Sequence, residues 1–267
     1  MQAQRYPENF DGIVAGGAMF DWVGGQFAPA WVAVPGMRNP AQFVPKSKHL
    51  AIHKKVLAAC DAQDGLTDSL IQNPAACKFD PASMACPAGQ DGADCLTPGQ
   101  VTAMKRYYSP ITRSNGEEVF PGFPKGSEHS SALLGIDKPA NNWAGFWPEV
   151  VYEDPAYDIV SRIDITGLSD YDRARAKVGA AYDAIDPNLE PFANRGGKLI
   201  VWHGWHDQLV SALRTESYVK AVIERVGATR TDTFMRTYLA PGVNHCRGGV
   251  GPIPRRVQPA GESCRLG

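Results

Sequence analysis

Three short stretches of this 267-residue chain hold side chains whose types and spacing could do chemistry. The run His203-Gly204-Trp205-His206-Asp207 follows the apolar stretch Lys198-Leu-Ile-Val-Trp202, and Asn244-His245-Cys246 follows Thr233-Phe-Met-Arg-Thr-Tyr-Leu239 and a Pro-Gly turn. An acid on one loop and a histidine on the next is the order of the second half of a Ser, Asp, His triad. There the acid orients the imidazole, and the imidazole carries the nucleophile's proton to the leaving group. A plainer reading stands beside it: Asp207 caps the helix that starts near Ser211, and His245 is a surface loop residue. The third stretch, Asp61-Ala-Gln-Asp64-Gly-Leu66-Thr-Asp68-Ser-Leu70, alternates hard oxygen donors of the kind calcium takes. Its spacing is not that of an EF-hand loop, and most acidic turns of this composition are simply solvated.

Other residues carry weaker signals. His49 and His53 stand at i, i+4, the spacing of a two-His zinc site, but they lack a third ligand. Among Lys46, Lys48, Lys54 and Lys55 they read as a solvated helix face. His203 and His206 read as packing and hydrogen-bonding residues. Trp143, Phe146 and Trp147 either line an aromatic acyl pocket or fill an apolar core, and nothing fixes the direction of Lys125 and Lys138.

The elements that must position these residues follow from periodicity. Lys198 to Trp202 has strand length, Ser211 to Gly227 is an amphipathic helix closed by a glycine, and Thr233 to Leu239 is a second strand. Strand, helix, strand at this spacing is a βαβ unit of a parallel sheet, whose strand carboxyl ends line the ligand crevice. Asp207 and His245 should therefore meet, at roughly 2.6 to 3.2 Å. Upstream, Ile13-Val14-Ala15 reads as a further buried strand after the last turns of a helix, followed by an aromatic-rich loop holding Phe20, Trp22, Phe27 and Trp31. A helix runs from Pro45 to Cys60, and another opens with Thr97 as N-cap and Pro98 in the first helical position. After Tyr108 the pattern is irregular, as in an insertion or lid. The expected fold is α/β, with residues 1–37 and 196–267 forming a core and 38–195 an inserted lid that carries the acidic loop.

Composition narrows the function classes. Lys and Arg number 27 against 28 Asp and Glu, for a formal net charge of −1, so no global field favours nucleic acid or an anionic membrane surface. With 43% hydrophobic and 21% charged residues the chain is an ordinary globular one. Cys60, Cys77, Cys86 and Cys95 crowd one stretch rich in Asp, Pro and Gly, which suits a disulfide-stapled loop in an oxidising compartment. The first residues read as the interior of a helix, and the residues after Gly251 show no period, so truncation is expected at both ends.

Several separate segments, in order, resemble the tannase and feruloyl esterase family of α/β-hydrolases. They are Tyr6-Pro-Glu-Asn-Phe-Asp-Gly-Ile-Val-Ala-Gly16, Ala59-Cys-Asp-Ala-Gln-Asp-Gly-Leu-Thr-Asp-Ser-Leu-Ile71, Cys95-Leu-Thr-Pro98, Gly197-Lys-Leu-Ile-Val-Trp-His-Gly-Trp205 and His245-Cys-Arg-Gly-Gly249. The resemblance implies a partial α/β-hydrolase core with a large lid and a secreted or periplasmic serine carboxylesterase acting on small aromatic esters such as feruloyl or galloyl esters. It makes Asp207 and His245 the acid and base and gives Val210 a part in shaping the pocket. It implies a structural Ca²⁺ held by the side chains of Asp61, Asp64 and Asp68 and the carbonyls of Leu66 and Leu70. Spacing and resemblance together imply Cys60–Cys77 and Cys86–Cys95 bridges, with Cys246 left unpaired and Cys264 unassigned. The family's serine lies on a Gly-Cys-Ser-x-Gly-Gly turn before the Tyr-Pro-Glu segment. No Gly-x-Ser-x-Gly occurs in this chain, so the nucleophile is expected upstream. The alternative is a non-catalytic, calcium-binding domain that binds aromatic ligands and has lost its nucleophile.

Overall fold

The computed structural model describes residues 1–131, 133–138 and 141–251, and the expectations for the C-terminal stretch, Cys264 included, lie outside them. A short helix α1 (Gln2–Arg5) leads into strand β1 (Gly12–Gly16), which pairs in parallel with β4 (Lys198–Gly204). In turn β4 pairs in parallel with β5 (Met235–Ala240), so the sheet order is β1-β4-β5. The helix Ala212–Val226 makes the crossover between β4 and β5, as the periodicity predicts. A small antiparallel pair, β2 (Ile111–Thr112) and β3 (Glu118–Phe120), lies in the chain between β1 and β4. The second sheet strand starts two residues later than expected, because Thr233 and Phe234 close the helix Ala228–Phe234.

The aromatic stretch after β1 is a correction to the sequence reading. It forms no loop but a 17-residue helix, α2 (Trp22–Arg38), opened by Asp21, whose carboxylate accepts the Gly24 N–H at 2.9 Å. Almost every residue of α2 from Val23 to Pro35 is buried, so no polar face marks a helical period, and Pro29 and Pro35 lie inside it. Its apolar residues pack into a cluster with α3 (Lys46–Cys60), α4 (Pro98–Tyr108) and Trp147. A second cluster, with Phe192, Val201, Tyr218 and Met235, lies between the sheet and its helices.

The chain between α3 and α4 is pinned by the expected bridges, Cys60–Cys77 and Cys86–Cys95. The start of α4 is fixed by a capping box, in which Thr97 Oγ1 accepts the Gln100 N–H and Gln100 Oε1 accepts the Thr97 N–H. A second correction concerns α3: Lys48, His49 and His53 are buried rather than solvated. Lys48 Nζ donates to the Cys95 carbonyl at 2.7 Å and Gln100 Oε1 at 2.8 Å, and His53 Nδ1 donates to the buried Glu128 at 2.7 Å. Polar partners on neighbouring elements let Lys48 and His53 go inside, and a helix read in isolation cannot show them, while the buried His49 Nε2 has no hydrogen-bond partner.

Candidate active site

The ends of β4 and β5 are drawn together by backbone. Trp205 N–H donates to the Ala240 carbonyl and His206 N–H to the Val243 carbonyl, both at 2.9 Å. The approach requires Gly204, since a Cβ there would stand 2.1 Å from the Val243 oxygen. His245 projects from a tight loop closed by the Asn244 N–H on the Gly248 carbonyl at 3.1 Å and the Val250 N–H on the Gly242 carbonyl at 2.9 Å. Its own N–H donates to Gln208 Oε1 at 3.1 Å. Facing it is the loop after β1, where a Cβ on Gly17 would lie 2.8 Å from Cys246 Sγ.

Asp207 is fully buried, and both its oxygens are used. Oδ2 accepts from His245 Nδ1 at 2.7 Å and from His203 Nε2 at 2.9 Å. Oδ1 accepts the backbone N–H groups of Leu209 at 2.9 Å and Val210 at 2.8 Å. One carboxylate thus holds the turn before the helix Ala212–Val226 and the imidazole as well, but it does not cap that helix, whose N-cap is Ser211 with no side-chain cap bond, which corrects the plainer reading of Asp207. A carboxylate only accepts, so both rings donate to it. His203 is then left with a bare Nδ1 that takes the Thr215 hydroxyl at 2.6 Å. Burial opposes ionisation of Asp207, but the His203 hydrogen bond, the Val210 N–H and the His245 bond together hold its carboxyl below the usual range.

Sequence reasoning gave His203 a hydrogen-bonding part but missed its partner. The signal was its place four residues before Asp207 at the end of the strand. Gln208 and Thr215 carried no signal at all.

His245 opens on a cavity of about 380 Å³ whose wall includes Trp22, Gln26, Trp143, Leu209 and Val210. Of the aromatic trio, Trp143 lines this cavity, while Phe146 and Trp147 pack in the apolar cluster. Lys125 lies elsewhere, 5.7 Å from the Tyr108 ring centroid, and Lys138 is exposed. Cys246 is unpaired among the described residues, with Sγ 3.7 Å from the Gly16 carbonyl.

In the acidic loop each carboxylate serves the backbone. Asp61 accepts the N–H groups of Asp68 at 3.2 Å and Ser69 at 3.1 Å, Asp64 that of Leu66 at 2.9 Å, and Asp68 that of Leu70 at 3.1 Å. Among the described residues no three ligating side chains are gathered as a metal shell. The donor chemistry suits calcium, but the arrangement as it stands is closed by the loop's own N–H groups.

The family model described as tannase and feruloyl esterase matches residues 1–255. The chain belongs to that family. A probable feruloyl esterase B-1 of Aspergillus flavus is 30% identical over 254 residues, which is 93% of this chain and 47% of that protein. Feruloyl esterase B of Aspergillus niger is 28% identical over 262 residues, 94% of this chain and 48% of that protein. The crystal structure of feruloyl esterase B from Aspergillus oryzae superposes with a TM-score of 0.84 at 26% identity, covering 93% of this chain and 50% of that one. A tannin acyl hydrolase from Aspergillus niger shares the fold, with a TM-score of 0.77 at 20% identity. This chain of the tannase and feruloyl esterase family has an α/β-hydrolase fold, and it spans about half the length of the curated relatives it matches.

Proposed function

We propose that the protein is a serine carboxylesterase of small aromatic, phenolic esters, with Asp207 and His245 as the acid and base of its triad. The observation that carries this is the 2.7 Å bond between buried Asp207 Oδ2 and His245 Nδ1, which leaves the other edge of the imidazole free at a cavity rich in aromatic and apolar side chains. Among the described residues no serine hydroxyl hydrogen-bonds the His245 ring; in this reading the nucleophile is a serine carried by sequence outside this chain. In the reaction His245 takes the serine proton as the hydroxyl attacks the ester carbonyl, then gives it to the departing alcohol. The acyl-enzyme formed is cleaved by water through the same base. Asp207 stabilises the imidazolium in both steps. The two disulfides support a location in an oxidising compartment, secreted or periplasmic. The acidic loop joins the proposal as a structural Ca²⁺ site formed by Asp61, Asp64 and Asp68 with the Leu66 and Leu70 carbonyls.

Its test is hydrolysis of methyl ferulate and methyl gallate by the protein together with a nucleophile-bearing segment. His245→Ala should abolish turnover, and Asp207→Asn should lower kcat by about 10³ to 10⁴, as when the acid of a known triad is neutralised. Unchanged turnover in His245→Ala would remove His245 from the chemistry. The non-catalytic reading, favoured by the missing serine partner, predicts ligand binding without turnover in every form.

A further inference from the structure

Strand β4 sends Leu199, Val201 and His203 to one face of the sheet, since side chains alternate along a strand. All three are buried, and the first two pack in the apolar cluster with Tyr218 and Val222 of the helix Ala212–Val226. The third position of this apolar row is thus an imidazole, and burying a polar ring is costly unless each nitrogen finds a partner. Both do. Nε2 donates to Asp207 Oδ2 at 2.9 Å, and Nδ1 takes the hydroxyl of Thr215, in the first turn of that helix, at 2.6 Å. The backbone of His203 is fixed as well, by its pairing with Leu239 on β5.

The place of that donor bears on His245. A carboxylate oxygen offers two lone pairs, and Asp207 Oδ2 gives one to His245 Nδ1 and the other to His203 Nε2. Oδ1 is filled by the Leu209 and Val210 N–H groups. Asp207 is fully buried, so bulk solvent does not replace a donor that is lost. Burial works against its ionisation, and the largest opposing influence is the His203 hydrogen bond. With that bond gone, the bare lone pair invites a proton. A neutral carboxyl no longer demands an N–H from the ring beside it, and a proton placed between Oδ2 and Nδ1 reverses the ring, leaving an N–H on Nε2 where a general base needs a lone pair.

We propose that His203 is a positioning residue for His245: by occupying the second lone pair of Asp207 Oδ2 it keeps that oxygen a pure acceptor, and so fixes the Nδ1–H tautomer that presents a bare Nε2 at the cavity. Its meaning for catalysis rests on the esterase reading above, so the test reads the ring itself, without turnover. The full chain is labelled with ¹⁵N-histidine, and long-range ¹H–¹⁵N correlations are recorded at mildly alkaline pH, where the two tautomers of a neutral imidazole give different patterns. The His245 signals are those lost in His245→Gln. Wild type should show His245 as Nδ1–H and His203 as Nε2–H. His203→Leu, close in size, should move the His245 tautomer ratio about tenfold towards Nε2–H. His203→Gln, whose amide nitrogen can stand where Nε2 does, should restore most of the wild-type ratio.

A merely structural role would leave the ratio alone in any variant that folds. The wild-type ratio in folded His203→Leu would therefore overturn the assignment, because Asp207 would then keep its charge on three donors. Should that variant not fold, wild type and His203→Gln decide: His203 protonated on Nδ1, His245 protonated on Nε2, or loss of the Nδ1–H form in folded His203→Gln overturns it. With a nucleophile-bearing segment present, kcat on methyl ferulate should fall about tenfold in His203→Leu at unchanged KM. The expected tautomers without turnover in any form would refute the esterase and leave the positioning of His245 standing.

Discussion

At the scale of single residues, two adjacent side chains on the loop after β4 meet burial in opposite ways. Asp207 is supplied with four donors and stays ionised inside the protein. His206 is buried with its Nε2 unpartnered, and burial, opposed by Glu128 and reinforced by His53 and His129, lowers its pKa to about 4. Because the folded value lies below the unfolded one of about 6.5, the unfolded chain binds the proton first as the medium is acidified. Stability should therefore be intact above about pH 6.5 and fall through the window down to about pH 4, by on the order of 3 kcal/mol from this group. Denaturant unfolding at stepped pH checks it, with His206→Leu as comparison. The variant should lose that part of the slope and give up little at neutral pH, since it removes an unsatisfied atom. An identical slope in both proteins would assign the acid sensitivity elsewhere, for instance to Glu128, whose buried carboxyl is held ionised, against its burial, by His53 and the Gly126 N–H.

At the scale of elements, what could be read from the sequence was whatever is written locally. Thr97, Pro98 and Gln100 spell the start of α4 within four residues, and the half-buried helix Ala212–Val226 shows its apolar stripe and its closing Gly227. The βαβ unit followed from these signals, and with it the meeting of Asp207 and His245. What could not be read depended on partners distant in sequence. Helix α2 is buried all round and so has no stripe, and the buried face of α3 is explained only by Glu128, Cys95 and Gln100. The acidic loop is intermediate, since its donors were visible but their engagement with the loop's own N–H groups was not. If Ca²⁺ takes those carboxylates, saturating calcium at about 100 times its Kd adds about 2.7 kcal/mol, or roughly 5 to 10 °C in Tm for a chain of this size. Asp61→Asn should remove the gain, and magnesium should not reproduce it. A Tm that ignores calcium, with no heat in calorimetry, would take the ion out of the proposal.

At the scale of the whole molecule, the main sheet has three strands among the described residues, and its two edge strands, β1 and β5, are each paired on one side only. Strand β4 is paired on both edges, but β1 is paired only with β4, and its outer edge meets no strand among the described residues. Val14 on β1 is 69% exposed, and Phe10 just before it is exposed too. An open parallel edge with apolar side chains is a template for another strand, and a net charge of −1 offers little repulsion against a second copy. Relatives about twice as long as this chain have sequence to cover such an edge, and in the proposal the same sequence supplies the serine. Cover for β1 and a nucleophile for His245 should therefore arrive together. Residues 1–267 alone should associate with rising concentration in light scattering and leave an activated phenyl ester intact. Val14→Lys should reduce that association by placing a charge at the edge. Co-expression with a nucleophile-bearing segment under oxidising conditions should give a particle that no longer grows with concentration and that hydrolyses the ester until His245 is replaced by Ala. Turnover by residues 1–267 alone, blocked by a serine-directed phosphonate, would instead put the nucleophile inside this chain and separate the open edge from the missing chemistry.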